Sequence, residues 1–238
     1  DDAALLASAN EFIAKIKADG TFDKICNNYF GDGTPVAVSS AAEDTSKDQL
    51  VVATNAEFEP FEYKKGDQFY GIDMEVVKAF ADSLGKELVI KDMEFDAVVT
   101  AVQQNKADIA AAGLTVNPGR AEQVNFTESY YSASQQLIVK ADDTKFDECK
   151  TKEDVDAILD TFEASVKIGG QKGTTGAAYV EGDLDNPDGF GFKGLKAAFK
   201  GYANGSLAVM DLINGGVDYV IIDAAPASAI TKAINAVA

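Results

Sequence analysis

Apolar residues recur along the chain at two spacings, and the alternation between them outlines its elements. Leu5, Ala9, Phe12, Ile13 and Ile16 fall on one helical face, with Asp2 as cap, Lys15 and Lys17 pointing outward and Gly20 as the stop. A second short helix is expected over residues 22–30. Residues 31–48, GDGTPVAVSSAAEDTSKD, have the small, polar composition of a linker and no sustained period. From residue 49 the pattern becomes regular. Residues 50–54 suit a buried strand, 55–61 a loop at its end, and 62–70 a hairpin turning at Lys65-Gly66-Asp67. Residues 72–84 predict a helix with Val76, Val77, Phe80 and Leu84 on one face and Gly85 as its stop, and 88–90 a strand. Phe95 precedes the cap Asp96 of a helix in which Val98, Ala101 and Val102 face inward, and 108–112 is the next strand. Strand, helix, strand, helix, strand implies a parallel sheet with right-handed crossovers.

A new set of elements follows. Residues 132–140 read as a long extended strand, 152–161 as a helix, 166–169 as a strand, and a Gly-Thr-Thr turn leads into a helix at 176–180. A strand at 199–202, a helix at 206–213 stopped by Gly215-Gly216, an apolar strand at 217–222 and a helix at 226–237 complete the chain. The expectation is an α/β fold of two lobes, each a mostly parallel sheet flanked by helices. The boundaries are a helical segment over 1–30, a linker over 31–48, a first lobe over 49–139 and a second over 140–238. The ligand cleft is expected between the lobes.

Composition narrows the chemistry. With 238 residues, 46% hydrophobic and 25% charged, the chain is an ordinary globular protein with enough length for two cores. Its net charge of -18 would repel nucleic acid and anionic membranes. No apolar run is long enough to span a bilayer, and no signal peptide is recognisable, so the chain is read as a mature or trimmed form. Histidine is absent, which removes Ser/His/Asp and Cys/His catalysis and most zinc sites. Neither metal nor cofactor is expected. Cys26 and Cys149 match no metal spacing; a disulfide and two unrelated thiols both remain open.

The segment over residues 113–126, GLTVNPGRAEQVNF, concentrates the candidate chemistry. It opens where a buried strand should end, the place where open α/β sheets bind ligands. Asn117-Pro118-Gly119-Arg120 reads as a capped first helical turn presenting a guanidinium. Arg120 is the chain's one arginine, a planar fork suited to a carboxylate; the competing reading is a surface arginine paired with Glu122 or Glu128. Gly173-Thr174-Thr175-Gly176 precedes a helix and suits an anion, or is an ordinary helix start. Asp223 ends the strand VDYVIID and suits an ammonium, or caps the following helix. Phe58 and Phe95 lie beside strand ends, as sandwiching aromatics or as core. Together these groups make a kit for a zwitterion such as an α-amino acid, and nothing in the kit attacks a bond.

From residue 48 onward the chain resembles the polar amino-acid-binding proteins of ABC importers, solute-binding protein family 3. The resemblance rests on VVATNAEFEPFEY, YGIDMEVVKAFADSLGKEL, FDAVVTAVQQNKADIAAAGLTVNPGRAEQVNFTESYY, GGQKGTTGAAY and NGGVDYVIID. It implies the periplasmic-binding-protein-like fold of type II and capture of a free amino acid by lobe closure. In the implied roles, the Gly113 carbonyl and Thr115 hydroxyl take the α-amino group, and Arg120 with Thr175 holds the carboxylate. Asp223 closes on the ammonium, Phe58 and Phe95 stack on the side chain, and Asn55 and Gln171 select it. Both selectors are neutral, which favours a polar ligand such as glutamine, although Glu57 stands nearby. The implied partner is an ABC permease, and the implied location is extracytoplasmic, in the periplasm or at the cell surface, with a lipid anchor in the full-length form.

The segment LLASANEFIAKIKADGTFDKICNNYFG resembles the family's carboxyl-terminal helices yet stands first. Circular permutation, a tandem array of receptors, and exchange of segments with another protomer would each explain this order. Two other functions stay open: a cyclohexadienyl or arogenate dehydratase on the same scaffold, with Glu57 or Glu181 as general acid, and a sensing domain of a tandem receptor.

Overall fold

The chain divides into two compact units, Asp1–Ser132 and Ala133–Ala238. The computed structural model describes residues 3–237 of them, so the expected Asp2 cap lies outside the described residues. The first unit runs α1 (Ala3–Ala18), α2 (Thr21–Phe30), β1 (Gln49–Thr54), β2 (Glu57–Phe58), β3 (Glu62–Lys65), β4 (Gln68–Tyr70), α3 (Ile72–Ser83), β5 (Glu87–Asp92), α4 (Phe95–Gln103), β6 (Ile109–Ala110) and α5 (Pro118–Gln123). β1 is the central strand of a sheet ordered β5-β1-β6, parallel on both sides, while β2, β3 and β4 form a small antiparallel sheet.

The twofold period of β1 explains its place. Leu50 and Val52 point to one face and pack with Met74, Val77, Phe80, Leu88 and Ile90, whereas Val51 and Ala53 point to the other, against Val98, Ala101 and Ala112. A strand covered on both faces needs apolar residues at every position, hence the run LVVA. Each leucine or valine side chain of such a run contributes about 1.5–3 kcal/mol when fully buried.

Helix α1 buries Ala9, Ile13 and Ile16, as its spacing predicts, and its Phe12 ring meets Phe80 with centroids 5.2 Å apart. Residues 31–48 form no helix, yet they are tied down: Val38 is 2% exposed and bridges to Phe69, Ser40 Oγ accepts from Ile90 N at 2.8 Å, and Ala41 N donates to Leu88 O at 2.8 Å.

The second unit runs β7 (Gln135–Ile138), α6 (Lys152–Leu159), β8 (Lys167–Gln171), α7 (Thr175–Glu181), β9 (Ala198–Tyr202), α8 (Gly205–Ile213), β10 (Tyr219–Asp223) and α9 (Ala224–Asn235). Its sheet is ordered β7-β10-β8-β9, with β7 antiparallel to β10 and the other pairs parallel. Ile168, Val180, Tyr219 and Ile221 form its core with Leu159 and Phe162. Both units are therefore α/β, as expected.

Several elements differ in extent from their sequence signals. The extended strand expected over 132–140 is the four-residue β7, because only the part opposite β10 has a partner. The strand expected over 108–112 is only Ile109–Ala110, ended by the left-handed turn at Gly113 (φ 57°). Helix α4 starts at Phe95 with Glu94 in the cap position, so Asp96 lies in the first turn and caps nothing. Helix α9 begins at Ala224 and places Pro226 inside its first turn, where proline costs no helical hydrogen bond. Cys26 and Cys149 are both unbridged thiols. No described helix is long and apolar enough to cross a membrane.

Candidate functional site

The sequence candidates fall into two sets, one on each unit. In the first unit the loop after β6 carries Gly113 and Thr115, and α5, which follows it, carries Arg120. Thr54 Oγ1 donates to Ala111 O at 2.6 Å and fixes the end of β6 against β1. The chain then turns at Gly113, where a Cβ atom would lie 3.1 Å from the Phe58 ring. Positive φ and close approach of the ring both demand glycine here. Asn117 caps α5 by accepting from Arg120 N at 2.8 Å, with Pro118 as first helical residue, as the motif predicts.

That capped turn delivers the guanidinium. Arg120 Nη1 donates to Thr115 O at 2.6 Å, and the guanidinium carbon lies 5.5 Å from the centroid of the Phe95 ring. Backbone and ring thus hold the fork on two sides. Burial draws the guanidinium pKa down, and the charge of Asp96 opposes that shift. Phe58 and Phe95 are half-buried, and Phe58 also stacks on Phe61 at 6.0 Å. Asn55 is buried and its Nδ2 donates to Met93 O at 2.9 Å, which ties it to the loop that leads into α4 at Phe95.

In the second unit, Gln171 ends β8, 4% exposed, and its carbonyl accepts from Thr174 Oγ1 at 2.8 Å. Thr174 caps α7 by accepting from Ala177 N, so Thr175 is the first helical residue. Asp223 is the last residue of β10. It occupies the cap position of α9 without making a cap bond, which corrects its reading as a plain N-cap. Its carboxylate instead accepts from Gln135 Nε2 in a short hydrogen bond. Burial pushes its pKa up to about 6, and the Gln135 hydrogen bond only partly opposes this.

Gln135 was not legible as a site residue. It reaches Asp223 because the antiparallel register sets the two residues opposite each other, and no signal within SASQQLIVK announces that pairing. Its Oε1 also lies beside Gly176, where a Cβ would be 2.8 Å away, so glycine lets α7 approach. Asp73 was missed as well. An acidic residue in the first turn of a helix normally faces water, but this one is 1% exposed and accepts from Gly113 N at 3.0 Å. Glu57 and Glu181, the residues nominated for acid catalysis, are exposed. Among the described residues no group of three or more acidic, Cys or His side chains could hold a metal ion.

Residues 50–221 match the bacterial extracellular solute-binding proteins, family 3. The chain belongs to that family. Among curated relatives of this solute-binding protein is the arginine-binding extracellular protein ArtP of Bacillus subtilis (strain 168), 36% identical over 109 residues, which are 46% of this chain and 43% of that one. The chain thus matches well under two thirds of that relative's length. Among solved structures, an ancestral arginine-binding protein bound to glutamine is similar, with TM-score 0.62 and 31% identity over 78% of this chain and 74% of that one. An ancestral amino acid-binding protein, a precursor of cyclohexadienyl dehydratase, is similar with TM-score 0.63 and 29% identity over 79% and 75% of the two chains. Each of these three similar proteins is named as a binding protein, and the neighbour linked to the dehydratase is itself an amino acid-binding precursor.

Proposed function

We propose that this chain binds a free polar L-amino acid outside the cytoplasm and delivers it to an ABC permease in the membrane. The observation that carries the reading is Arg120, held by the Thr115 carbonyl and the Phe95 ring at a strand end. In this reading the first unit's Arg120 takes the α-carboxylate, assisted by Thr175 of the second, and Gly113 and Thr115 take the α-amino group. Asp223 closes on the ammonium, and Phe58 and Phe95 flank the side chain. Contacts on both units would make ligand drive closure, since only differential affinity shifts such an equilibrium.

For specificity, Asn55 and Gln171 are both neutral and buried, which supports a glutamine-like ligand. The second reading is arginine, supported by the arginine-binding relative and by the ancestral arginine-binding protein, which also holds glutamine. Packing of α2 on α3, and of the α1 ring Phe12 on Phe80 of α3, within one chain supports completion of the first lobe in cis rather than by exchange of segments. Periplasm or cell surface is the compartment this role requires, with a lipid anchor on the full-length form in the latter case.

A thermal-shift screen against the twenty amino acids, followed by titration calorimetry, tests both readings. Binding of glutamine with a micromolar constant, which needs about -8 kcal/mol, and weaker binding of arginine is the expected result. Preference for arginine establishes the second reading, and no response to any amino acid refutes both.

A further inference from the structure

Beneath the Gly113 turn, Glu62 and Asp73 lie in the interior of the first unit, each 1% exposed, with their carboxyl groups hydrogen-bonded to one another. The local chain explains how two acids come to be there. Glu62 opens β3, and the Gly71 turn before α3 brings Asp73 N to Phe61 O at 2.9 Å, which turns the first residues of the helix inward. Asp73 Oδ2 accepts from Gly113 N at 3.0 Å, and Asp73 Oδ1 accepts from Tyr130 Oη at 2.7 Å. A Cβ on Gly113 would be 3.7 Å from Glu62 Oε1, so the second acid also lies close to the turn.

Two carboxylates in contact in the interior cannot both be ionised, because the repulsion is barely screened there. Both Asp73 oxygens already act as acceptors, an arrangement that favours the shared proton on Glu62, donated toward Asp73. The pair then carries one negative charge, directly behind the strand end that carries Gly113.

We propose that Glu62 and Asp73 form an acid pair holding one proton, and that they act as positioning residues for recognition of the ligand's α-amino group. This deepens the amino-acid-binding reading and rests on it. Asp73 anchors the Gly113 amide and so fixes the left-handed φ that aims the Gly113 carbonyl. Glu62 lets the anchor keep its charge by supplying the donor that a buried carboxylate needs. The single negative charge left on the pair favours a cationic group in front of the turn.

Infrared spectroscopy and titration calorimetry on the intact chain test this together. At pH 8, where Asp223 with its pKa of about 6 is ionised, the ligand-free protein should show the C=O stretch of a protonated carboxylic acid, absent from Glu62→Gln. Glu62→Leu and Asp73→Asn should each weaken amino-acid binding about tenfold or more, the scale of a lost hydrogen bond to a charged group. Glu62→Gln, which keeps a donor in place, should recover most of what Glu62→Leu loses. Melting curves verify folding; should Asp73→Asn not fold, Tyr130→Phe removes one donor to Asp73 and should lower affinity severalfold. A missing acid band in the wild type, a band that survives Glu62→Gln, or undiminished affinity in Asp73→Asn overturns the proposal. If the wild type binds no amino acid, the binding reading and the positioning role fall, while the infrared band still decides whether the pair holds a proton.

Discussion

Asp223 stands at the cap position of α9, yet its carboxylate turns to Gln135 on the neighbouring antiparallel strand. The consequence is a half-buried acid with a pKa of about 6, raised chiefly by burial. Raising a carboxyl pKa above its ordinary value of 3.8 means that the folded state prefers the protonated form. Its contribution to stability is therefore full below pH 3.8 and is lost as pH rises through about 6. Comparing melting temperatures of wild type and Asp223→Asn from pH 3 to 8 checks the sign: the wild type should lose ground to the variant across that window, and parallel curves would contradict it.

The same group sets an expectation for binding. An ammonium ligand requires the ionised form, so amino-acid affinity should fall about tenfold for each pH unit below about 6. Calorimetry should show this slope in the wild type, with weaker and flatter binding in Asp223→Asn. A wild-type affinity independent of pH between 5 and 7 would remove Asp223 from the site.

Arg120→Ala should abolish detectable amino-acid binding, and Arg120→Lys should weaken it by about 10- to 100-fold. Lysine keeps the charge but loses the bidentate fork and the flat face against Phe95, and each hydrogen bond to a charged group contributes about 1.5–3 kcal/mol. Retained micromolar affinity in the alanine variant would refute the carboxylate assignment.

Tyr29 fastens α2 to α3: its hydroxyl donates to Glu75 Oε1 at 2.6 Å and accepts from Gly71 N at 2.8 Å. Asn28 Nδ2 and Val36 N also donate to Glu75, at 3.1 and 3.0 Å. Burial and Glu75 push the phenol pKa far above its ordinary value, so the hydroxyl stays a donor. Tyr29→Phe should cost about 1–3 kcal/mol in urea denaturation, since it leaves the Gly71 amide and the carboxylate each short of a partner. An unchanged midpoint would show that water replaces the hydroxyl at no cost.

Gly71 has φ 123° and ψ 164°, a region open essentially to glycine alone, and a Cβ there would lie 2.0 Å from Phe61 O. Gly71→Ala should destabilise the first unit by about 3 kcal/mol or more, read as a lowered melting temperature. Ala at Gly20, where φ is also positive but nothing lies within 4 Å, should cost less.

By itself the sequence determined the element order and the α/β character of both units, because apolar periodicity and stop glycines act within a few residues of where they stand. LVVA declared a doubly covered strand, and Asn117-Pro118-Gly119-Arg120 declared a capped turn presenting its arginine. Only the tertiary structure decided which long-range partner each polar group found. Strand register set Gln135 opposite Asp223, and an inward-facing first turn of α3 placed Asp73 under Gly113. Neither pairing leaves a mark in local composition, since a buried acid and a solvated one are the same letter until the rest of the chain removes the water.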